Sequence, residues 1–171
     1  MKWPRFAFLV VLVAVLQASA VMNLVSLTNM RIKPDILLLL LVYFAVSCDS
    51  FDAIITSFSL GFAADITGMV LGPHIISYGL VGMLLAHIRK VILLKDTRQQ
   101  ALTILVTGVV TEVIALMLTY LKAPELARTG LFEVFAVAAY SAISWFLLKW
   151  LVGAAGKWTG IGVHRFGARA D

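Results

Sequence analysis

Apolar residues fall in six runs separated by short polar punctuation. A bilayer core takes about 20 apolar residues as a helix, which sets the scale for reading them. The first run extends from Phe6 to about Leu27, interrupted by Gln17, Ser19, Asn23 and Ser26. The second begins after Pro34 and Asp35 and covers Ile36 to about Cys48, with Asp49 and Asp52 bracketing its end. The third runs from Ala53 to about Ile66, the fourth from Leu71 to Ile88, the fifth from Ala101 to Leu121 and the sixth from Leu131 to about Val152. This pattern predicts an all-α integral membrane protein of about six transmembrane helices. The second and third runs are short enough to form one re-entrant pair instead. The expected organisation is one transmembrane domain over residues 1–152 and a short basic cytoplasmic tail over 153–171.

Composition supports lipid as the solvent. Hydrophobic residues make up 61% of the chain and charged residues 13%, against about half and a quarter in soluble domains. So little polar side chain cannot cover a water-facing surface. The basic residues set the expected orientation. With a cytoplasmic N-terminus, ten of the 14 Lys and Arg residues fall on the cytoplasmic side and four, Arg31, Lys33, Lys122 and Arg128, on the other. Both termini are then cytoplasmic. The net charge of +5 reads as contact with anionic lipid headgroups. Its small scattered patches, without interleaved aromatics, argue against nucleic acid.

The first run also resembles a secretory signal, with Lys2 and Arg5 ahead of it and Ala18-Ser19-Ala20 as a cleavage-like site. The apolar run resumes at Val21 and continues to Leu27, which suits an uncleaved anchor better. A single cysteine, Cys48, excludes an intrachain disulfide and a CxxC pair. It reads as a small apolar filler.

Ala53, Ser57, Gly61 and Asp65 recur every four residues, so on a helix they form a ridge of small side chains ending in a carboxylate. Such ridges let helix backbones approach closely in lipid. Gly68 and Gly72 follow in a turn closed by Pro73, which suits the first turn of the next helix. Tyr78, Gly79 and Gly82 then continue the pattern. The expectation is a tightly packed helix pair; the functional alternative is a partner- or ligand-binding surface on the turn. Asp65 is expected to hydrogen-bond that turn, with His74 as a nearby partner across it. The two alone do not make a metal site.

Glu112 lies near the middle of the fifth run. A charge there costs at least about 2.5–3.5 kcal/mol, so such residues usually face protein or water. It is either a neutral hydrogen-bonding group or part of a polar cavity or partner contact. Thr103, Thr107 and Thr111 adjoin it, and Glu133 opens the sixth run with Tyr140 and Ser144 on its side. The nucleotide-binding, zinc-protease and serine-hydrolase signatures are absent, and no carboxylate pair or triad spacing stands out. The reading is therefore not an enzyme, with no cofactor.

Arg31, Pro34 and Asp35 ahead of Leu37 to Leu41, then Gly61 to Asp65, Gly68, Leu71-Gly72-Pro73-His74, Tyr78 and Gly82 resemble the bacterial rod shape-determining MreD family. One departure is an Asp65-to-Gly68 gap one residue shorter than the family form. The resemblance spans most of the chain and is sharp over about residues 31–83. It implies a non-enzymatic inner-membrane subunit of the cell-elongation complex. Its implied partners are the bitopic protein MreC, the actin-like MreB filament and the SEDS glycosyltransferase/transpeptidase pair. The family is also similar in fold to the substrate-binding S-components of energy-coupling-factor transporters. That opens a second expectation: a binder of a vitamin-like molecule, with a polar cavity lined by Glu112 and Tyr140.

Overall fold

The computed structural model describes residues 1–19, 33–68, 70–88, 96–126 and 130–161. These hold six α-helices and no strand: α1 (Trp3–Ala18), α2 (Ile36–Ser47), α3 (Ser50–Thr67), α4 (Pro73–Ile88), α5 (Thr97–Lys122) and α6 (Leu131–Trp158), with a 3-10 turn at Pro124–Leu126. Two of them, α5 and α6, are long and apolar enough to cross a membrane by themselves.

The bundle is organised around α2. Its sequence ILLLLLVYFAVS is apolar on every side, as expected of a helix with no solvent face. Every residue from Leu37 to Val46 is buried, and the other five helices all pack against it. With 12 residues it is about 18 Å long, well short of a bilayer core of about 30 Å. Its N-terminal end lies inside the bundle, where Pro34 and Asp35 are buried, whereas Asp49 and Ser50 just past its C-terminal end are exposed. Backbone at such depth is tolerated only where protein satisfies its polar groups.

The outer surface is apolar. Phe8, Val11 and Val15 on α1, Leu102, Met117 and Leu121 on α5, and Phe135, Leu147 and Trp150 on α6 are all exposed. Lipid offers no hydrophobic drive for helices to associate, so close packing and interhelical hydrogen bonds must hold them. The packing is closest between α3 and α4. A Cβ on Gly61 would lie 2.5 Å from the carbonyl oxygen of His74 and 2.8 Å from Cα of Ile75. Ser57 fills the space beside Gly82, and Phe58 the space beside Gly79. The small ridge expected from the sequence is this seam.

Two boundaries differ from the apolar runs. Helix α1 stops at Ala18, where Ser19 turns extended and its hydroxyl bonds the carbonyl of Leu16 at 2.7 Å; such local bonds compete with helix. Val21–Leu27 lie outside the described residues. Helix α6 continues past Val152 to Trp158 through the Gly-rich stretch. Gly156 leaves room there for the Tyr43 ring. The helix ends where Gly160 adopts φ 80°, Gly160 N–H bonds Lys157 O at 3.1 Å and Ile161 N–H bonds Gly156 O at 3.0 Å. That is a Schellman stop, which needs a left-handed residue at the Gly160 position. Lys2 N–H meets Thr159 O at 2.8 Å, and the Arg5 guanidinium donates to Trp158 O at 3.0 Å. A cation at a helix C-terminus is favourable, so the first and last helices are tied together at this end.

Candidate functional site: two carboxylates and the helix ends they hold

The start of α2, the turn from α3 into α4 and the end of α5 are linked by hydrogen bonds at one end of the bundle, and Asp35, Asp65, His74 and Tyr78 gather there. Asp35 is the N-cap of α2 and is buried behind Pro34, itself buried. Its Oδ1 accepts from Leu38 N at 3.1 Å and from Gln17 Nε2 on α1 at 2.8 Å. Its Oδ2 accepts from the Tyr78 hydroxyl on α4. The Asp35 N–H donates to Ser141 Oγ on α6 at 2.9 Å. Gln17 Oε1 takes the next orphan donor of α2, Leu37 N, at 3.3 Å. The first turn of a helix leaves its N–H groups without internal partners, and here α1, α4 and α6 converge on that turn.

Asp65 performs the same task for α4 from the last turn of α3. Its Oδ2 accepts from Gly72 N at 2.7 Å and Ile75 N at 3.0 Å. Its Oδ1 accepts from His74 N at 2.9 Å and lies 3.0 Å from His74 Nδ1. Pro73 has no N–H, so one carboxylate takes every amide donor from Gly72 to Ile75. Negative charge at this position also suits the helix dipole. Lys122 at the end of α5 closes the turn by donating to Leu71 O at 2.6 Å.

The glycines of the turn differ in what they require. Gly72 sits at φ 116°, where a side chain is strained. Gly68 has φ −91°, and an added Cβ would meet nothing closer than Ala64 O at 3.4 Å. Gly68→Ala is therefore expected to leave the stability of the purified protein, read by thermal unfolding, within about 0.5 kcal/mol of wild type. Gly72→Ala is expected to lower the stability by the cost of a side chain on a positive-φ backbone, about 1–2 kcal/mol. Equal effects of the two would show that backbone conformation does not govern this turn.

Of the other sequence candidates, Ser57, Gly61 and Gly82 line the α3–α4 seam. Glu112 faces the site: its Oε1 is 4.0 Å from His74 Nε2. Glu133 lies in the first turn of α6, close enough to Glu112 to interact electrostatically. Tyr140 is half-buried farther along α6. Thr111 beside Glu112 is buried and bonds back to Thr107 O at 2.8 Å. Three contributors were not singled out from the sequence. Gln17 carries a signal, being an amide inside an apolar run; Ser141 and Lys122 carry none. Among the described residues no group of three His, Cys, Asp or Glu is placed to hold a metal ion. A separate groove of about 730 Å³ between α1 and α3 is apolar, lined by residues including Trp3, Val10, Phe58 and Phe62; neither Glu112 nor Tyr140 borders it.

An all-helical bundle that is apolar outside, with its polar side chains turned inward onto helix ends, is built as a membrane protein. The family model of the rod shape-determining protein MreD matches residues 1–153, and the chain belongs to that family. It is thus a member of a structural, shape-determining family of membrane proteins. No curated protein and no solved structure matches the chain.

Proposed function

We propose that this protein is a multi-pass subunit of the bacterial inner membrane that helps maintain rod shape as part of the cell-elongation complex. In this reading the helical bundle is embedded in the membrane as a multi-pass protein, with the 12-residue α2 enclosed by the other helices rather than spanning on its own, and both termini are cytoplasmic, with residues 153–171 on the cytoplasmic side. The bundle holds an MreC-like bitopic protein and so helps position lateral peptidoglycan synthesis by SEDS/transpeptidase synthases under an MreB-like filament. The family match over residues 1–153 carries this reading. The chemistry of the site agrees with it. Asp35, Asp65, Gln17 and Tyr78 are occupied in tying helices together, which is what a rigid docking platform requires. Short loops leave the apolar helix faces as the main surface for a partner's membrane helix.

The test is a detergent pull-down of the tagged protein from its native membrane, with mass spectrometry of proteins and small molecules. The expected result is an MreC-like bitopic protein with cell-wall synthases. Recovery of an ATPase module with a bound metabolite, and no elongation proteins, would replace this reading with that of a transporter subunit.

A further inference from the structure

The groove between α1 and α3 takes no part in the carboxylate network. It runs from Trp3 to Val11 on α1 and from Ile55 to Phe62 on α3, which is about 12 Å, or two helical turns. Its lining mixes two sizes of side chain. The rings of Trp3, Phe58 and Phe62 are each about half exposed, whereas Ala7 and Ser59 are small. Small residues let a helix backbone come close in lipid, and large ones then pack against its side chains. The shape is that of a seat for the side of a helix.

Charge at the Trp3 end narrows the occupant. Asp52 lies one turn before Ile55 on the same helix face, and the Met1 ammonium stands 4.0 Å from its Oδ2. Asp49, the N-cap of α3, is exposed, and its carboxylate makes no hydrogen bond or ion pair among the described residues. The cations of α1 turn to its other flank. Arg5 donates to Trp158 O and lies 5.8 Å from the Trp158 ring centroid, and the Lys2 stem lies against Gly160. The mouth of the groove therefore keeps an acidic edge beside a basic end of the bundle. Anionic lipid headgroups are repelled by such an edge. The Lys and Arg residues that flank the cytoplasmic end of a transmembrane helix are attracted to it.

We propose that the α1–α3 groove seats the single transmembrane helix of a bitopic partner, with that partner's basic cytoplasmic flank against Asp49 and Asp52. The proposal rests on the scaffold reading, which makes this end cytoplasmic, and deepens it by naming the face that binds. The chain's own residues 162–171 carry two large apolar side chains, Val163 and Phe166, too few to line two turns of groove.

The test is photocrosslinking of the tagged full chain in its native membrane. Benzoylphenylalanine replaces Ala7 or Phe62 in the groove, or Leu147 on the exposed face of α6, and mass spectrometry sequences the joined peptides. The groove positions should join one apolar run of about 20 residues, ended by Lys or Arg, in a bitopic protein. Leu147 should not join it. Ala7 is itself exposed, so Ala7→Trp fills the groove without entering the core. It should cut capture of that protein roughly tenfold while keeping the wild-type size-exclusion peak. Asp49→Lys should cut it roughly fivefold at low salt, with a smaller loss at high salt, and covers the case in which Ala7→Trp does not fold. Groove adducts to lipid alone, to residues 162–171 or to a second copy of this chain would overturn the proposal. So would undiminished capture by both variants. A bitopic elongation protein that is captured but joined only from Leu147 would remove the groove and leave the scaffold reading standing. Capture of no elongation protein would remove both.

Discussion

Gly61→Leu is expected to eliminate folded protein from the membrane. The reason is local and geometric. The first side-chain carbon alone would stand 2.5 Å from His74 O and 2.8 Å from Ile75 Cα. Both are backbone atoms in the first turn of α4, and that turn is held by Asp65 through three amide bonds. It cannot retreat without breaking them. Overpacking of this kind costs about 1–3 kcal/mol and sometimes more, which places Gly61→Ala in that range and Gly61→Leu beyond it. Gly79→Ala should be milder. Its added carbon meets the ring of Phe58, a half-exposed side chain that can rotate outward. Gly153→Ala should be silent, since nothing lies within 4 Å of its added carbon. Fluorescence-detected size exclusion of tagged variants in detergent reads the order directly. Partner capture should fall with the folded fraction. Gly61→Leu running as a monodisperse wild-type peak would show that close backbone approach does not hold α3 to α4.

How far the chain could be read in advance depends on whether the relevant physics is local. Periodicity at four residues is local, so Ser57, Gly61 and Asp65 were legible as one helix face, and the structure puts Ser57 and Gly61 at the seam. The turn between them was legible too, because Gly72 and Pro73 have backbone preferences independent of tertiary context. The role of α2 was half legible. Its unbroken apolar sequence shows burial on all sides, but not that five helices surround it or that its short length drops its N-terminus into the interior. The Asp35 network follows from that placement. Gln17 and Ser141 lie 18 and 106 residues from Asp35, so no spacing could have joined them. Helix ends were the weakest reading. The apolar runs continued α1 past Ala18 and stopped α6 at about Val152, whereas the actual stops are set by the Ser19 hydroxyl and by Gly160. Those are single-residue hydrogen-bonding events that the extent of an apolar run does not report.

Asp35→Ala should be the most damaging change that adds no bulk. Removing the carboxylate strands three donors at once: Gln17 Nε2, Leu38 N and the Tyr78 hydroxyl. Tyr78 is fully buried and Asp35 nearly so, so water does not readily replace the lost acceptor. Interhelical hydrogen bonds in membrane bundles average about 0.6 kcal/mol and reach about 1.7, and an N-cap is worth about 0.5–2 kcal/mol. Together they put Asp35→Ala at about 2–4 kcal/mol. Asp35→Asn keeps one oxygen for the cap but turns an amide toward one of the other donors, so it should lie between wild type and alanine. Tyr78→Phe removes a single donor and should cost least. The double variant Asp35→Ala/Tyr78→Phe separates the network from simple packing. With the hydroxyl already gone, alanine strands one donor fewer, so the pair should cost less than the sum of the singles. Thermal midpoints in one detergent measure all four proteins. Strict additivity would mean that Tyr78 and Asp35 act independently, and the convergence of α1, α4 and α6 on the start of α2 would then be packing without coupling.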